Sequence, residues 1–78
     1  MAFKVTGAAV GALWGTDVYT TDSSLAMAAV HAGVLKVGKT GVVKVKIVAP
    51  PAQFAGSTRN GVVSADWGPF QGAFKVSK

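Results

Sequence analysis

With 78 residues, no cysteine and only three acidic side chains, the chain forms at most one small domain, without a disulfide bridge or a thiolate metal site. Half of its residues are hydrophobic and 14% are charged, which argues against a disordered tail. Eight Lys and Arg residues give a net charge of +5, but they are dispersed along the chain, so it lacks the continuous basic arm of many nucleic-acid-binding proteins.

Extended segments are predicted near the start of the chain. The residues "AFKVT" alternate apolar and polar side chains, as a strand with one buried face does. The stretch "GALWGTDVYT" is predicted to be a second extended segment that Gly15 interrupts, and its residues 18–20 favour strand geometry. The stretch "VTGAAVGALWG" is short and rich in Gly and Ala, so we interpret it as part of the domain and not as an export signal or a transmembrane segment.

One helix is predicted, over about residues 24–32. An oxygen of Asp22 or Ser23 is expected to cap its first free amides, and Gly33 is expected to end it. The segment "SLAMAAVHA" consists largely of helix-forming residues. Its apolar face is mostly alanine, which would let the helix lie close against a sheet. That face contains Leu25, Ala28, Ala29 and Ala32.

The second half of the chain is predicted to consist of strands and turns. "VVKVKIV" alternates in the manner of a half-buried strand, which Pro50 and Pro51 end. Asn60 and Gly61 mark a turn before a short strand at residues 62–64, and "AFKVS" alternates again near the C-terminus. We therefore predict a single α+β domain over residues 1–78, with one central helix packed against and between short, mostly antiparallel strands.

The chain's only histidine lies seven residues after Ser24, close to two aspartates, which raises the question of a Ser/His/Asp catalytic set. On a helix this spacing separates Ser24 and His31 by about 10 Å along the axis. A catalytic pair needs about 3 Å, and no Gly-x-Ser-x-Gly motif is present, so we predict that the protein is not an enzyme. Ser57, Ser64 or Ser77 would reach His31 only through the tertiary fold. We expect His31 to bind a backbone carbonyl, with ligand contact as the alternative.

Binding chemistry is expected on the strands. Lys44 and Lys46 should share one strand face with Lys75, forming a basic patch suited to phosphate or sulfate groups, with an ordinary solvated surface as the alternative. Trp67, in a loop rich in chain breakers, is the candidate exposed aromatic contact. One His and three Asp are too few for a metal site, so no metal or other cofactor is expected. The lack of an RNP-type motif, phosphate loop or zinc finger argues against nucleic acid as the partner.

Four segments in order resemble the LCCL domain family over residues 13–76: "WGTDVYTTDSSLAMAAVHAGVL", "GVVKVKIVAPP", "FAGSTRNGVVS" and "WGPFQGAFKV". Family members usually carry four cysteines in two disulfides. Here Ala26 stands at one cysteine position and the segment with the upstream cysteines is absent, so the chain resembles a cysteine-free member, for which a bacterial source is one option. The resemblance implies a central helix held between β-sheets. It favours an extracellular or periplasmic location, a preference that the loss of the cysteines weakens.

The resemblance also implies a non-enzymatic binding or interaction module. We expect an anionic ligand, such as a lipopolysaccharide-like glycolipid, an acidic glycan or an acidic protein surface, with Lys44, Lys46, Lys75, Trp67 and His31 as its contacts. The alternative is a structural subunit that self-assembles into a homo-oligomer, or an accessory subunit of a larger complex. Self-assembly would proceed through edge-to-edge pairing of residues 42–48.

Overall fold

Seven β-strands and one α-helix make up the protein, as described by a computed structural model that covers residues 1–78. In chain order the elements are β1 (Ala2–Thr6), β2 (Gly15–Thr16), β3 (Val18–Thr20), α1 (Leu25–His31), β4 (Thr40–Val48), β5 (Thr58–Arg59), β6 (Val62–Val63) and β7 (Ala73–Ser77). Five strands form an antiparallel sheet in the order β1-β4-β7-β3-β2, while β5 and β6 form a separate hairpin. The predicted α+β architecture is confirmed.

Helix α1 begins later than the sequence predicts. Its N-cap is Ser24, whose hydroxyl oxygen accepts a hydrogen bond from the Met27 amide at 3.2 Å. The prediction of Asp22 or Ser23 as the cap is wrong, because the Ser23 hydroxyl instead accepts from the Trp14 amide at 3.1 Å. Asp22 is exposed and has no hydrogen-bond partner through its side chain. Ser23 therefore ties the helix entrance to the preceding strand segment.

A Schellman motif ends the helix. Gly33 has a φ of 83°, a left-handed conformation that glycine adopts readily. Its amide donates to Val30 O at 3.0 Å, and the Val34 amide donates to Ala29 O at 2.8 Å. The side-chain amide of Asn60 donates to Val30 O and to His31 O, at 3.0 and 3.2 Å. A hairpin residue thus gives His31 O a partner and Val30 O a second one at the helix C-terminus.

The helix lies between the sheet and the β5–β6 hairpin. The core joins Val45 and Phe74 of the sheet, Ala28 and Val30 of the helix, and Val62 of the hairpin. We call the helix side of the sheet its inner face. Residues 27–31 are all buried, so the buried surface of α1 is wider than the predicted alanine face, because the hairpin covers a second side of the helix. The helix has only seven residues, far fewer than a membrane crossing requires.

Two tight turns depend on residues with positive φ. Strands β2 and β3 replace the single interrupted segment that the sequence predicts, and the chain turns at Asp17 (φ 66°), not at Gly15. Gly15 belongs to β2, where any side chain would collide with the Val18 carbonyl. Asn60 (φ 53°) and Gly61 (φ 78°) form the β5–β6 turn, as expected for a type I′ hairpin.

Strand β4 lies inside the sheet. Its neighbours are β1, in the register Lys4↔Val42, and β7, in the register Lys46↔Lys75. Strand β1 pairs with residues 40–44 of β4 and β7 pairs with residues 44–48, so β4 is an inner strand. The predicted edge-to-edge pairing of residues 42–48 with another copy is therefore wrong. The outermost strands of the sheet are β1, which pairs with β4, and β2, which pairs with β3.

Candidate polyanion-binding face

Four lysines project from the face of the sheet that points away from the helix. Lys46 of β4 lies directly opposite Lys75 of β7. Lys44 lies two residues before Lys46 on β4, so the two side chains share one face of the sheet. On the other side of β4, Lys4 lies opposite Val42, which brings it to this face as well. All four side chains are exposed, and we call this surface the lysine face.

The lysine face contains no counter-ion. Strands β1, β4 and β7 contain no acidic residue. The three aspartates lie elsewhere: Asp17 forms an exposed ion pair with Arg59 at 2.6 Å, Asp22 precedes the helix, and Asp66 accepts from the Gly56 amide at 2.6 Å. Like charges opposite one another in a sheet are destabilising. The Lys46–Lys75 pair is thus an unfavourable local arrangement that no neighbouring carboxylate relieves.

Trp67 occupies a different part of the surface. Its side chain is 50% exposed and packs edge-to-face on Trp14, with ring centroids 6.0 Å apart. Reciprocal backbone hydrogen bonds of 2.8 and 2.9 Å join it to Phe54. With Gln53 and Asp66 it lines an open cleft of about 630 Å³, to which no lysine contributes. The structure therefore does not bring Trp67 together with the lysine face in one site.

His31 is fully buried, so its predicted role as a direct ligand contact is wrong. Its Nδ1 lies 2.9 Å from the Tyr19 hydroxyl and its Nε2 lies 3.2 Å from Ser57 O. A neutral ring that carries its proton on Nε2 satisfies both partners, because it accepts from Tyr19 and donates to the carbonyl. Burial raises the pKa of the Tyr19 phenol above its ordinary value of 10.0. Tyr19 therefore remains a neutral donor to His31.

Ser57 is the serine that the fold brings to His31. Its hydroxyl oxygen lies 3.2 Å from Nε2 and 2.5 Å from the Thr16 hydroxyl oxygen. In the tautomer that carries its proton on Nε2, the ring has no lone pair to take a proton from Ser57. In either tautomer the group on Nδ1 is a phenol, whereas a catalytic triad places a carboxylate there. The contacts describe a buried hydrogen-bonded network, in which no buried side-chain polar atom lacks a partner. No three His, Cys, Asp or Glu side chains lie together as metal ligands.

Two residues have contacts or positions in the structure that the sequence does not predict. Lys4 completes the lysine face, and the alternation of "AFKVT" already separated it from the apolar side of its strand. The alternation does not show which strand pairs with β1, and that pairing brings Lys4 beside the other lysines. The sequence predicts a turn at Asn60, but the bonds from Asn60 to helix carbonyls depend on how the hairpin docks, for which a single sequence carries no local signal.

The sequence model of the LCCL domain matches residues 4–74, nearly the whole chain. The chain belongs to the LCCL domain family. This confirms the resemblance and extends it to β1. Among characterised proteins, the chain is similar to the transcriptional regulatory protein rxt3 of Schizosaccharomyces pombe, with 41% identity over 59 residues. The match covers 70% of this chain but 17% of the yeast protein. LCCL domains are modules of a binding type, and this LCCL domain lacks cysteine altogether.

Proposed function

We propose that this LCCL domain is a non-enzymatic module that binds an anionic ligand through its lysine face. The ligand is a lipopolysaccharide-like glycolipid, an acidic glycan or an acidic protein surface. One observation carries the proposal: Lys46 lies directly opposite Lys75, with Lys44 beside them and no acid on the three strands. An anion bound across such a pair converts a local repulsion into two attractive contacts.

The chemistry of the lysine face fits sulfate or phosphate groups. Each lysine presents three donors on a flexible stem, so it follows an anion whose exact position varies, in contrast to the fixed fork of arginine. With a net charge of +5, the whole domain also attracts polyanions over a distance of about one Debye length, ~10 Å at 0.1 M salt. Binding of this kind weakens as salt rises.

The test compares two double variants that carry the same charge change. Lys44→Gln with Lys46→Gln removes the centre of the lysine face, whereas Lys36→Gln with Lys39→Gln removes two exposed lysines from the turn before β4. Binding of a sulfated polysaccharide, a lipopolysaccharide and a polyglutamate is measured at low and high salt. We expect about a tenfold loss of affinity for the first variant at low salt, and a much smaller loss for the second.

Two results would overturn the proposal. Equal losses in both double variants would show that net charge alone attracts the ligand, without a specific face. Binding that is indifferent to salt would remove the electrostatic basis of the interaction. The affinities for the three ligands then identify which anionic class the domain prefers.

A second candidate function is contact with a protein partner, as an accessory subunit or as one domain of a larger assembly. The yeast relative, a transcriptional regulatory protein by name, is much longer than its matched region. The half-exposed Trp67 offers the aromatic anchor that protein interfaces favour. On this reading Trp67→Ala abolishes partner binding, whereas the Lys44/Lys46 double variant preserves it. Self-assembly would have to use β1 or β2 as the pairing edge, and a monomer in light scattering at high concentration would rule it out.

A further inference from the structure

The lysine face is a diagonal row and not a compact cluster. Starting from Lys75, the row crosses to Lys46 on the neighbouring strand and moves one residue pair along β4 to Lys44. It then moves one further pair along and crosses to Lys4 on β1, opposite Val42. Three adjacent strands thus contribute to a single line of ammonium groups, which we call the lysine track.

Sheet geometry gives the dimensions of the track. Two residues along a strand advance about 6.8 Å, and neighbouring strands lie about 4.8 Å apart. Successive lysines in the row are therefore about 5–8 Å apart at the backbone, and the track spans about 17 Å from Lys75 to Lys4. A single sulfate or phosphate ion can contact the close pair Lys46 and Lys75 but cannot reach Lys4 at the same time.

We propose that the lysine track binds one linear sulfated polysaccharide along its length, with Lys4 as the terminal contact. This inference rests on the proposed function and names its ligand class. A chain with a charged group on successive sugars supplies an anion to each lysine in turn. The hydroxyls of Thr6 and Thr40, which bond each other at 2.6 Å beyond Lys4, and that of Ser77 opposite Lys44, add polar contacts for sugar hydroxyls.

Other macromolecular polyanions fit the lysine track less well. Single-stranded nucleic acids bind through bases stacked on aromatic side chains, and the outer side of β1, β4 and β7 presents none. Stable membrane binding combines basic side chains with apolar groups that insert, whereas Val42 is the one large apolar residue that this face exposes among the lysines. The centres of protein interfaces are depleted in lysine. Sulfated sugars need none of these features.

The test uses sulfated oligosaccharides of graded length, from shorter to longer than the track, titrated into the whole domain. Affinity is expected to rise with length until the oligosaccharide spans about 17 Å. Lys4→Gln should lower the affinity for long oligosaccharides about threefold and leave the affinity for short ones unchanged. Lys4→Arg keeps the charge and should bind long oligosaccharides as the original protein does. Lys36→Gln is the matched control, since it removes an equal charge outside the track. Desulfated oligosaccharides of the same length should not bind.

The outcomes separate this inference from the proposed function. One outcome is that the Lys44/Lys46 double variant binds the oligosaccharides weakly, while Lys4→Gln has the same affinity as Lys36→Gln at every oligosaccharide length. The lysine face then binds anions, but the proposal of a linear lysine track is wrong. If the double variant binds as tightly as the original protein, the proposed function fails as well. Tighter binding of a single-stranded oligonucleotide or of anionic phospholipid vesicles than of a sulfated oligosaccharide of equal charge would overturn the ligand class.

Discussion

Polar groups on the two faces of the five-stranded sheet lie in opposite environments: they are buried and hydrogen-bonded on one face, and exposed without a counter-ion on the other. On the inner face, Tyr19 and Phe74 are buried beside the helix, and each buried side-chain polar atom there has a hydrogen-bond partner. On the outer face, Lys46 and Lys75 stand opposite each other in water, without a counter-ion. Adjacent residues such as Phe74 and Lys75 belong to these different environments because side chains alternate along a strand.

This contrast separates folding from binding in a domain of only 78 residues. Substitutions of buried inner-face residues such as Tyr19 act on the core and its hydrogen bonds, so they change the free energy of unfolding. Substitutions of the exposed lysines on the outer face leave the core untouched and change the charge that a ligand meets. The separation is open to experiment, since each face offers a substitution that should affect one property and spare the other.

The largest effect is expected for Tyr19→Phe on the inner side. The substitution removes the hydroxyl that donates to His31 Nδ1 and leaves a buried acceptor without a partner. The free energy of unfolding should fall by about 1–3 kcal/mol, as measured by urea unfolding at neutral pH. Affinity for a sulfated polysaccharide should not change at a temperature where the variant is folded. A loss of affinity in the folded variant would show that the two faces are coupled.

Alkaline pH gives the same position a second test. Because burial raises the pKa of Tyr19, the folded protein keeps the phenol protonated where the unfolded chain ionises. The stabilising contribution is complete below the unfolded pKa of 10.0 and disappears as pH rises through the higher folded pKa. The stability of the original protein should therefore fall more steeply above pH 10.0 than that of Tyr19→Phe. Parallel curves for the two proteins would contradict the assignment.

A smaller effect is expected at the helix entrance. Ser24→Ala removes the acceptor of the Met27 amide and should destabilise the protein by about 1 kcal/mol. Asp22→Ala is the control, because the Asp22 side chain makes no hydrogen bond, and it should change stability by less than about 0.5 kcal/mol. Urea unfolding measures both. The reverse order would restore Asp22 as the cap that the sequence suggested.

The identity of the helix cap depends on tertiary contacts that the sequence does not show. The sequence predicts Asp22 or Ser23 as the cap, but in the structure Ser23 accepts from the Trp14 amide and Ser24 accepts from the Met27 amide. Likewise, alternation within β4 was enough to place Lys44 and Lys46 on one face. The register that sets Lys46 opposite Lys75 joins residues 29 positions apart and depends on the whole fold. His31 was expected to bind a carbonyl, but its depth depends on the hairpin that covers it.

The smallest effect concerns the lysine pair itself. Lys75→Gln removes the charge opposite Lys46, so at low salt it should raise the free energy of unfolding by up to about 0.5 kcal/mol, while it lowers the affinity for a sulfated polysaccharide. The gain in stability should vanish at high salt, where the repulsion is screened. Lys36→Gln, which lies outside the sheet, controls for the change in net charge.

If Lys75→Gln raises the free energy of unfolding and lowers the affinity for the polysaccharide, the Lys46–Lys75 repulsion destabilises the free protein and the bound anion relieves it. If Lys75→Gln instead lowers stability, the aliphatic stem of Lys75 contributes more by packing on the sheet than its charge removes. The lysine face would then be an ordinary solvated surface in energetic terms. A comparison of Lys75→Gln with Lys75→Met at both salt concentrations distinguishes these cases, because methionine preserves an apolar stem and removes only the charge.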